Sequence, residues 1–197
     1  MQDVKKKLYK TKLIILFVGI IFSSVIIYSQ VDGKTIESKQ NINPPDIEVG
    51  LPVRLKIPRI KINSIFEHVG LTPEGAVDSP KGPSNVAYFT DSPRPGEIGS
   101  SIIDGHSGWK NNIPAVFDNL YKLRKGDRIY VEDDKGNTIT FIVREIRKYN
   151  PNADAIDVFS SNDGKAHLNL ITCTGIWNKV KKSRSERLVV FTDREIK

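Results

Sequence analysis

The sequence is almost without cysteine, since Cys173 is the only one among 197 residues. A chain with a single cysteine cannot form an internal disulfide. In an oxidising compartment a lone thiol is a liability unless it is buried or used chemically. A buried, inert cysteine is the commoner case, so the residues around Cys173 must decide between the two interpretations.

Histidine is scarce too, and the chain has only three: His68, His106 and His167. A zinc site needs three or four ligands, which in sequence usually show a characteristic spacing. One cysteine and three scattered histidines show no such spacing. The sequence therefore indicates no metal site, and we expect no metal or organic cofactor.

Positive charge is concentrated at the N-terminus. The chain carries a net charge of +7, and residues 1–12 hold five lysines against one aspartate, which leaves +3 for all the other residues. A nucleic-acid-binding domain would carry a basic patch or stripe on the domain itself. We therefore expect no nucleic-acid partner.

There is one long apolar run, from Leu13 to Tyr28, which Ser29 to Val31 can extend. Its length is near the lower limit of about 17 residues for a helix that spans a membrane. We predict a basic cytoplasmic tail at 1–12 and a transmembrane anchor helix at 13–31. The lysines keep the N-terminus in the cytoplasm, which places the remainder outside the cell membrane.

A cleaved signal peptide is the alternative for this run. Signal peptides have a shorter apolar region and a small-residue cleavage site, and no A-x-A pattern follows Tyr28. After the run, residues 32–50 are predicted to be an extracytoplasmic linker. The stretch from Gly33 to Pro45 is polar and ends in Asn-Pro-Pro, which is typical of extended or turn-like backbone.

Residues 51–197 form the predicted catalytic domain and are mostly strand-like. Polar and apolar residues alternate in Arg54–Ile57 and Arg59–Ile62, as expected for half-buried strands. Further strands are predicted at 65–69, 86–89, 100–103, 128–131, 138–146, 168–172 and 188–191. The helix candidate is Pro114–Leu123, with apolar residues at helical spacing. Many short strands with little helix predict an all-β barrel or sandwich.

Two residues stand where chemistry is plausible. Cys173 directly follows the predicted strand 168–172, and a thiol at a strand end is open to a substrate. His106 follows another strand and lies between Gly105 and Gly108. It is either a surface loop histidine or an acid/base group, because the unperturbed pKa of histidine is nearest neutrality. His68 and His167 lie in or at the start of strands, where structural or surface roles are expected.

Taken together, three separated motifs resemble the sortases, a family of cysteine transpeptidases. Leu170-Ile171-Thr172-Cys173 matches the family's nucleophile motif, Gly105-His106 lies 67 residues upstream of the cysteine, and Arg187 follows it by 14. Ile57-Pro58 and the segment from Phe117 to Leu123 followed by Lys125-Gly126-Asp127 also match. Each motif alone is weak. Their order over roughly residues 51–193, behind an N-terminal anchor, makes the set specific.

The resemblance implies a closed eight-stranded β-barrel with one or two short helices. Having no C-terminal membrane helix, the chain looks closest to the compact class D, E or F sortases, with class F favoured. The implied catalytic residues are Cys173 as nucleophile, His106 as acid and Arg187 as oxyanion donor. Arg184 is the alternative oxyanion donor, but it is expected to lie in a loop, where its position would be less fixed. Groups near Thr172 would help to hold substrate.

One residue departs from the family pattern. Asp104 stands before Gly105-His106, where the family more often has a small residue. On a strand, Asp104 would share the face of His106. It would then either orient the imidazole or simply be solvated.

The resemblance implies cleavage of a Leu-Pro-x-Thr-Gly-like sorting signal near the C-terminus of a protein substrate. The acyl group then passes to an amine of a cell-wall precursor or a pilin. One alternative is an extracytoplasmic cysteine peptidase that only hydrolyses, although the papain type needs a helical nucleophile segment. The other is a non-catalytic anchored β-domain that binds a surface ligand, which requires a buried and inert Cys173.

Overall fold

The structure, a computed structural model, describes residues 48–178 and 183–196. Within these ranges eight strands close into a barrel in the order β1-β2-β3-β4-β7-β8-β6-β5. The strands are β1 (Pro52–Ile57), β2 (Ile62–Val69), β3 (Val86–Phe89), β4 (Gly99–Asp104), β5 (Arg128–Asp133), β6 (Thr138–Tyr149), β7 (Ala166–Asn178) and β8 (Ser183–Arg194). The predicted all-β barrel is thereby confirmed.

Two neighbouring pairs, β2–β3 and β4–β7, are parallel, and the other pairs are antiparallel. The predicted tail at 1–12, the anchor at 13–31 and nearly all of the linker at 32–50 lie outside the described residues. In the part of the chain that is described, no helix is long and apolar enough to cross a membrane.

The barrel interior is filled by side chains that alternate along the strands. On β8, Leu188 and Val190 point into the main core, while Val189 and Phe191 belong to a separate cluster on the outer face. This period of two is what an extended backbone imposes. Each fully buried leucine or phenylalanine contributes roughly 1.5–3 kcal/mol relative to its exposed state.

A short helix, α1 (Ile156–Phe159), covers part of the outer face. Its Val158 is 1% exposed and packs against Ile102 of β4 and Phe191 of β8. The side-chain amide of Asn169 on β7 donates to the carbonyl of Val158 at 2.6 Å. The β6–β7 connection is therefore fixed against the outer surface of β4, β7 and β8.

The predicted helix Pro114–Leu123 is wrong, because only a 3-10 turn forms, at Leu120–Lys122. The carboxylate of Asp118 accepts hydrogen bonds from the backbone N–H groups of Gly108, at 2.6 Å, and Ala115, at 2.8 Å. The N–H of Phe117 donates to the carbonyl of His106 at 2.9 Å. The N–H groups of Asp118, Leu120 and Leu123 bond to carbonyls three residues back instead of four, so tight turns held by these tertiary bonds replace the helix.

The predicted strand Arg59–Ile62 is also wrong over most of its length. A 3-10 turn occupies Pro58–Ile60, and Lys61 has a left-handed backbone with φ of 56°. Proline lacks the N–H that a strand ladder needs, so Pro58 ends β1. β2 begins only at Ile62.

Candidate active site

Cys173 and Arg187 lie directly opposite each other on β7 and β8. Residues opposed in an antiparallel pair place their side chains on the same face. That face is the outer one, because Ile171, two residues before Cys173, packs against the outer cluster. The sequence-predicted nucleophile and arginine are therefore neighbours on the barrel surface.

Both residues sit inside longer strands than the sequence predicts. β7 continues past Cys173 to Asn178, so the prediction that the strand ends at residue 172 is wrong. Cys173 is nevertheless partly exposed. The ribbon of β7 and β8 bends just beyond it, where the register shifts between Thr174 and Trp177. Gly175 makes this bulge possible, since its φ is +82° and a Cβ there would lie 2.3 Å from Ser185 Oγ.

Arg184 is not in a loop, contrary to expectation. It lies in β8 opposite Trp177, and its Nη1 donates to the carbonyl of Gly175 at 3.0 Å. Its Nη2 occupies the space beside Gly108, where an added Cβ would be 2.8 Å away. Arg184 therefore bridges the loop that carries His106 and the strand that carries Cys173.

The loop that carries His106 is hydrogen-bonded to β7 next to Cys173. The N–H of Gly105 donates to the carbonyl of Ile171 at 3.2 Å. The hydroxyl of Thr172 donates to the carbonyl of Gly105 at 2.6 Å. Gly105 must lack a side chain here, because a Cβ would meet the ring of Phe117 at 2.5 Å. Gly105, the residue before His106, is therefore hydrogen-bonded to Ile171 and Thr172, the two residues before Cys173.

The imidazole of His106 has two defined neighbours. Its Nε2 lies 2.8 Å from the carbonyl of Pro80, and because a carbonyl only accepts, this nitrogen carries a proton. The ring of Trp109 stacks against it at a tilt of 53°, with 4.7 Å between ring centroids. Nε2 is therefore committed to the protein, which leaves Nδ1 for proton transfer.

Thr172 is 2% exposed, and its hydroxyl is used within the protein. Its side chain joins the nucleophile strand to the His106 loop. Its predicted part in substrate binding stays a prediction. Asp104, at the end of β4, lies opposite Ile171 and close enough to His106 and Arg187 to interact with both.

Burial raises the pKa of the Cys173 thiol above its ordinary value, and the charge of Asp104 adds to that rise. Arg187 opposes the rise most strongly, and Arg184 opposes it less. The thiolate is the reactive form of cysteine. Since the net pKa shift is upward, most of the thiol is protonated near neutral pH, and the thiolate fraction grows as the pH rises.

The sequence did not identify the segment Ser79–Pro80 as part of the site. Pro80 is buried and touches the imidazole. Glu67 holds this segment by accepting hydrogen bonds from the N–H of Lys81, at 3.0 Å, and the amide of Asn85, at 2.9 Å. No sequence signal links residue 80 to residue 106, because their contact depends on the barrel's closure.

Several solved structures resemble this chain in fold. Sortase C-1 from Actinomyces oris is 28% identical, with 73% of each chain covered and a TM-score of 0.59. A lid mutant of sortase A from Corynebacterium diphtheriae is 27% identical over 80% of this chain and 77% of that one, also with a TM-score of 0.59. A Clostridium perfringens sortase D5 transpeptidase shares the fold at 21% identity, with 75% and 79% covered and a TM-score of 0.54.

Among curated proteins there is no significant match. The family profile described as the sortase domain matches residues 55–195, which is most of the chain and contains Cys173, His106 and Arg187. With the eight-stranded barrel and the solved sortases that resemble it, this match establishes that the chain belongs to the sortase family.

Proposed function

We propose that this chain is a membrane-anchored sortase that cleaves a Leu-Pro-x-Thr-Gly-like sorting signal and transfers the protein to an amine acceptor of the cell envelope. The observation that carries the proposal is the cross-strand pair of Cys173 and Arg187, with the His106 loop bonded alongside. The three residues come from distant parts of the sequence, and neither core packing nor sheet pairing requires these residue types.

The first half-reaction forms a thioester. The thiolate of Cys173 attacks the carbonyl carbon of the scissile peptide bond, giving a tetrahedral oxyanion. The C–N bond then breaks, and His106 as imidazolium donates a proton to the departing amine. Because Nε2 is bonded to Pro80, this proton comes from Nδ1.

Arg187 stabilises the oxyanion. Its guanidinium carries a permanent charge and a planar fork of N–H donors. Its contacts in the resting site are long, at 3.4 Å to the carbonyl of Arg184 and 3.3 Å to that of Glu186. Such weak bonds are readily exchanged for a developing negative charge, and one oxyanion donor is worth about 2.7–4 kcal/mol.

The second half-reaction resolves the thioester. An amine of a cell-wall precursor or pilin attacks the acyl carbon, and the C–S bond breaks to release the thiolate of Cys173. His106 takes the proton that the amine loses, and the new amide leaves. Water in place of the amine gives hydrolysis. The predicted anchor at 13–31 would hold the domain outside the cytoplasmic membrane, where both substrates occur. Within the family we favour the compact D, E or F classes, and class F among them.

The test is mass spectrometry of the purified chain incubated with candidate signal peptides, without and with a small amine such as triglycine. We expect a thioester on Cys173 and, with the amine, an aminolysis product. The matched control is Cys173→Ala, which should show neither. Cleavage without any aminolysis would instead make the protein a cysteine peptidase, and absence of the thioester with every signal would refute the proposal.

A further inference from the structure

Asp104 places a carboxylate on the same outer face as the thiol. It is the last residue of β4, and its neighbour on that face, Ile102, packs in the outer cluster. The parallel register sets Asp104 opposite Ile171, two residues before Cys173. The carboxylate is therefore one strand away from the nucleophile, at the point where the His106 loop leaves the sheet.

Charged and polar groups from the β2–β3 connection, the loop after β4 and strand β8 surround this carboxylate. The hydroxyl of Ser79, from the β2–β3 connection, and the N–H of Gly105 favour its ionised form, as do Arg187 and a protonated His106. Burial is the largest effect and acts the other way, so the pKa of Asp104 is raised overall. Beyond this set, Glu67 acts on His106 and Arg184 acts on Cys173.

Asp104 supplies the carboxylate whose charge acts on the Cys173 thiol. In the productive state the thiolate and Asp104 are negative, while His106 and Arg187 are positive. Without the carboxylate the thiolate would face two uncompensated cations. A thiolate held so strongly is a weaker nucleophile, because nucleophilicity falls as thiol pKa falls. By the same reciprocity, the carboxylate stabilises the imidazolium that must protonate the leaving amine.

Resting on the function proposed above, we propose that Asp104 is a positioning residue that balances the charges of His106 and Arg187 around Cys173. The residue that departs from the family's usual small side chain is thus part of the reactive apparatus. Ser79 holds the carboxylate from the side of the segment that also holds the imidazole through Pro80.

Alkylation of the full chain by iodoacetamide as a function of pH tests this assignment. The chain has one cysteine, so the alkylation rate reports only Cys173. We expect Asp104→Asn to lower the pH midpoint by about half to one unit, at the low end of the effect of a nearby charge. Below the midpoint the variant would then react about two- to fourfold faster, because the larger thiolate fraction is partly offset by the lower nucleophilicity of each thiolate.

Asp91→Asn is the matched control, since Asp91 is exposed in the turn after β3 and the same change should leave the midpoint where it is. Asp104→Ser removes the charge with a smaller side chain and should reproduce the shift if Asp104→Asn does not fold. Midpoints equal to the wild type in the folded Asp104 variants would overturn the assignment.

Kinetics separate this role from a merely structural one. We expect Asp104→Asn to lower kcat for thioester formation severalfold with KM unchanged, because the lost charge acts on the imidazolium and not on peptide binding. A shifted midpoint in a chain that never forms a thioester would sink the proposed function but leave the charge assignment standing. Normal peptide transfer by the wild type, together with unshifted alkylation midpoints in the Asp104 variants, would support the proposed function and overturn the charge assignment.

Discussion

One face of the β7–β8 ribbon carries two polar pairs six residues apart, and they differ in how fully they are bonded. At one end His167, 2% exposed, lies opposite Asp193. Its Nδ1 is 2.8 Å from Asp193, and its Nε2 is 2.9 Å from Asp163. Both nitrogens lie at hydrogen-bonding distance from carboxylate oxygens, so the ring is held from both sides.

At the other end Cys173 lies opposite Arg187, with the thiol partly exposed and the guanidinium weakly held. Between the two pairs the face is apolar except for Asn169, and it packs under α1. The difference teaches that a polar pair matched on every side serves stability. A pair left with unused capacity is available for chemistry, which is why unsatisfied groups need a functional explanation.

The largest expected effect on activity comes from replacing Cys173. Cys173→Ala should reduce thioester formation to background, while the free energy of unfolding changes by less than about 1 kcal/mol, as for other partly exposed sites. Mass spectrometry and urea denaturation check the two halves. His106→Ala should behave similarly in activity. Turnover retained by Cys173→Ala would remove it as nucleophile.

The two arginines of β8 come next in size. Arg187→Lys should lose roughly a hundredfold in kcat, because an ammonium cannot reproduce the planar fork. Arg184→Lys should lose less, since Arg184 is bonded to Gly175 and has the weaker effect on the thiol pKa. Steady-state kinetics with one signal peptide compare the two variants. The opposite ranking would assign the oxyanion to Arg184.

Substitution of His167, in the fully bonded pair with Asp193, should lower stability and leave catalysis unchanged. His167→Gln cannot donate to both carboxylates, so we expect a loss of about 1–3 kcal/mol in unfolding free energy. Turnover at permissive temperature should remain near that of the wild type. A loss of activity without a loss of stability would show that the two ends of the ribbon are not separable.

This end also sets a pH dependence of stability. The hydrogen bond from His167 holds the pKa of Asp163 below its ordinary value. A lowered folded-state pKa stabilises the native state above the unfolded-state pKa, near 3.9, and this contribution disappears as the pH falls further. As the pH is lowered from 6 to 2, the thermal unfolding temperature should therefore fall less steeply in His167→Gln than in the wild type. Parallel curves would contradict this coupling.

The smallest expected effect is at the seam between sheet and loop. Thr172→Val keeps the shape but removes the hydroxyl that bonds the carbonyl of Gly105. We expect a loss of about 1 kcal/mol of stability and a few-fold fall in kcat. Denaturation and kinetics measure both. A change in KM alone would instead favour the predicted role of Thr172 in holding substrate.

Residue patterns predicted most of the strands, because alternation such as that along β1 reflects one buried face, but they left barrel and sandwich open, and the closed barrel followed from the family resemblance. Val86–Phe89 was predicted with its observed bounds. The failures lie where distant contacts decide. Asp118 and Phe117 bond the His106 loop where a helix is predicted. The start of β8 is polar, and the end of β7 is exposed and interrupted by Gly175, so no alternation marks either as strand.

For the site, the sequence could name Cys173, His106 and Arg187 from motif order but not their arrangement. The cross-strand pairing depends on the register of β7 against β8, which is set by contacts along the whole ribbon. The roles of the three residues remain predictions. The environment of Asp104 was likewise out of reach, because Ser79 and Arg187 reach it only when the barrel closes.

The closed ring of strands has a consequence for how a partner polypeptide is gripped. Many proteins bind extended peptides by letting them join an open sheet as one more strand, with main-chain bonds supplying the affinity. Here the eight strands pair around the full circle, so none offers a whole unpaired edge. Under the proposed function, an incoming tail would therefore cross the outside of the ladder, where the surrounding loops would have to contact its side chains.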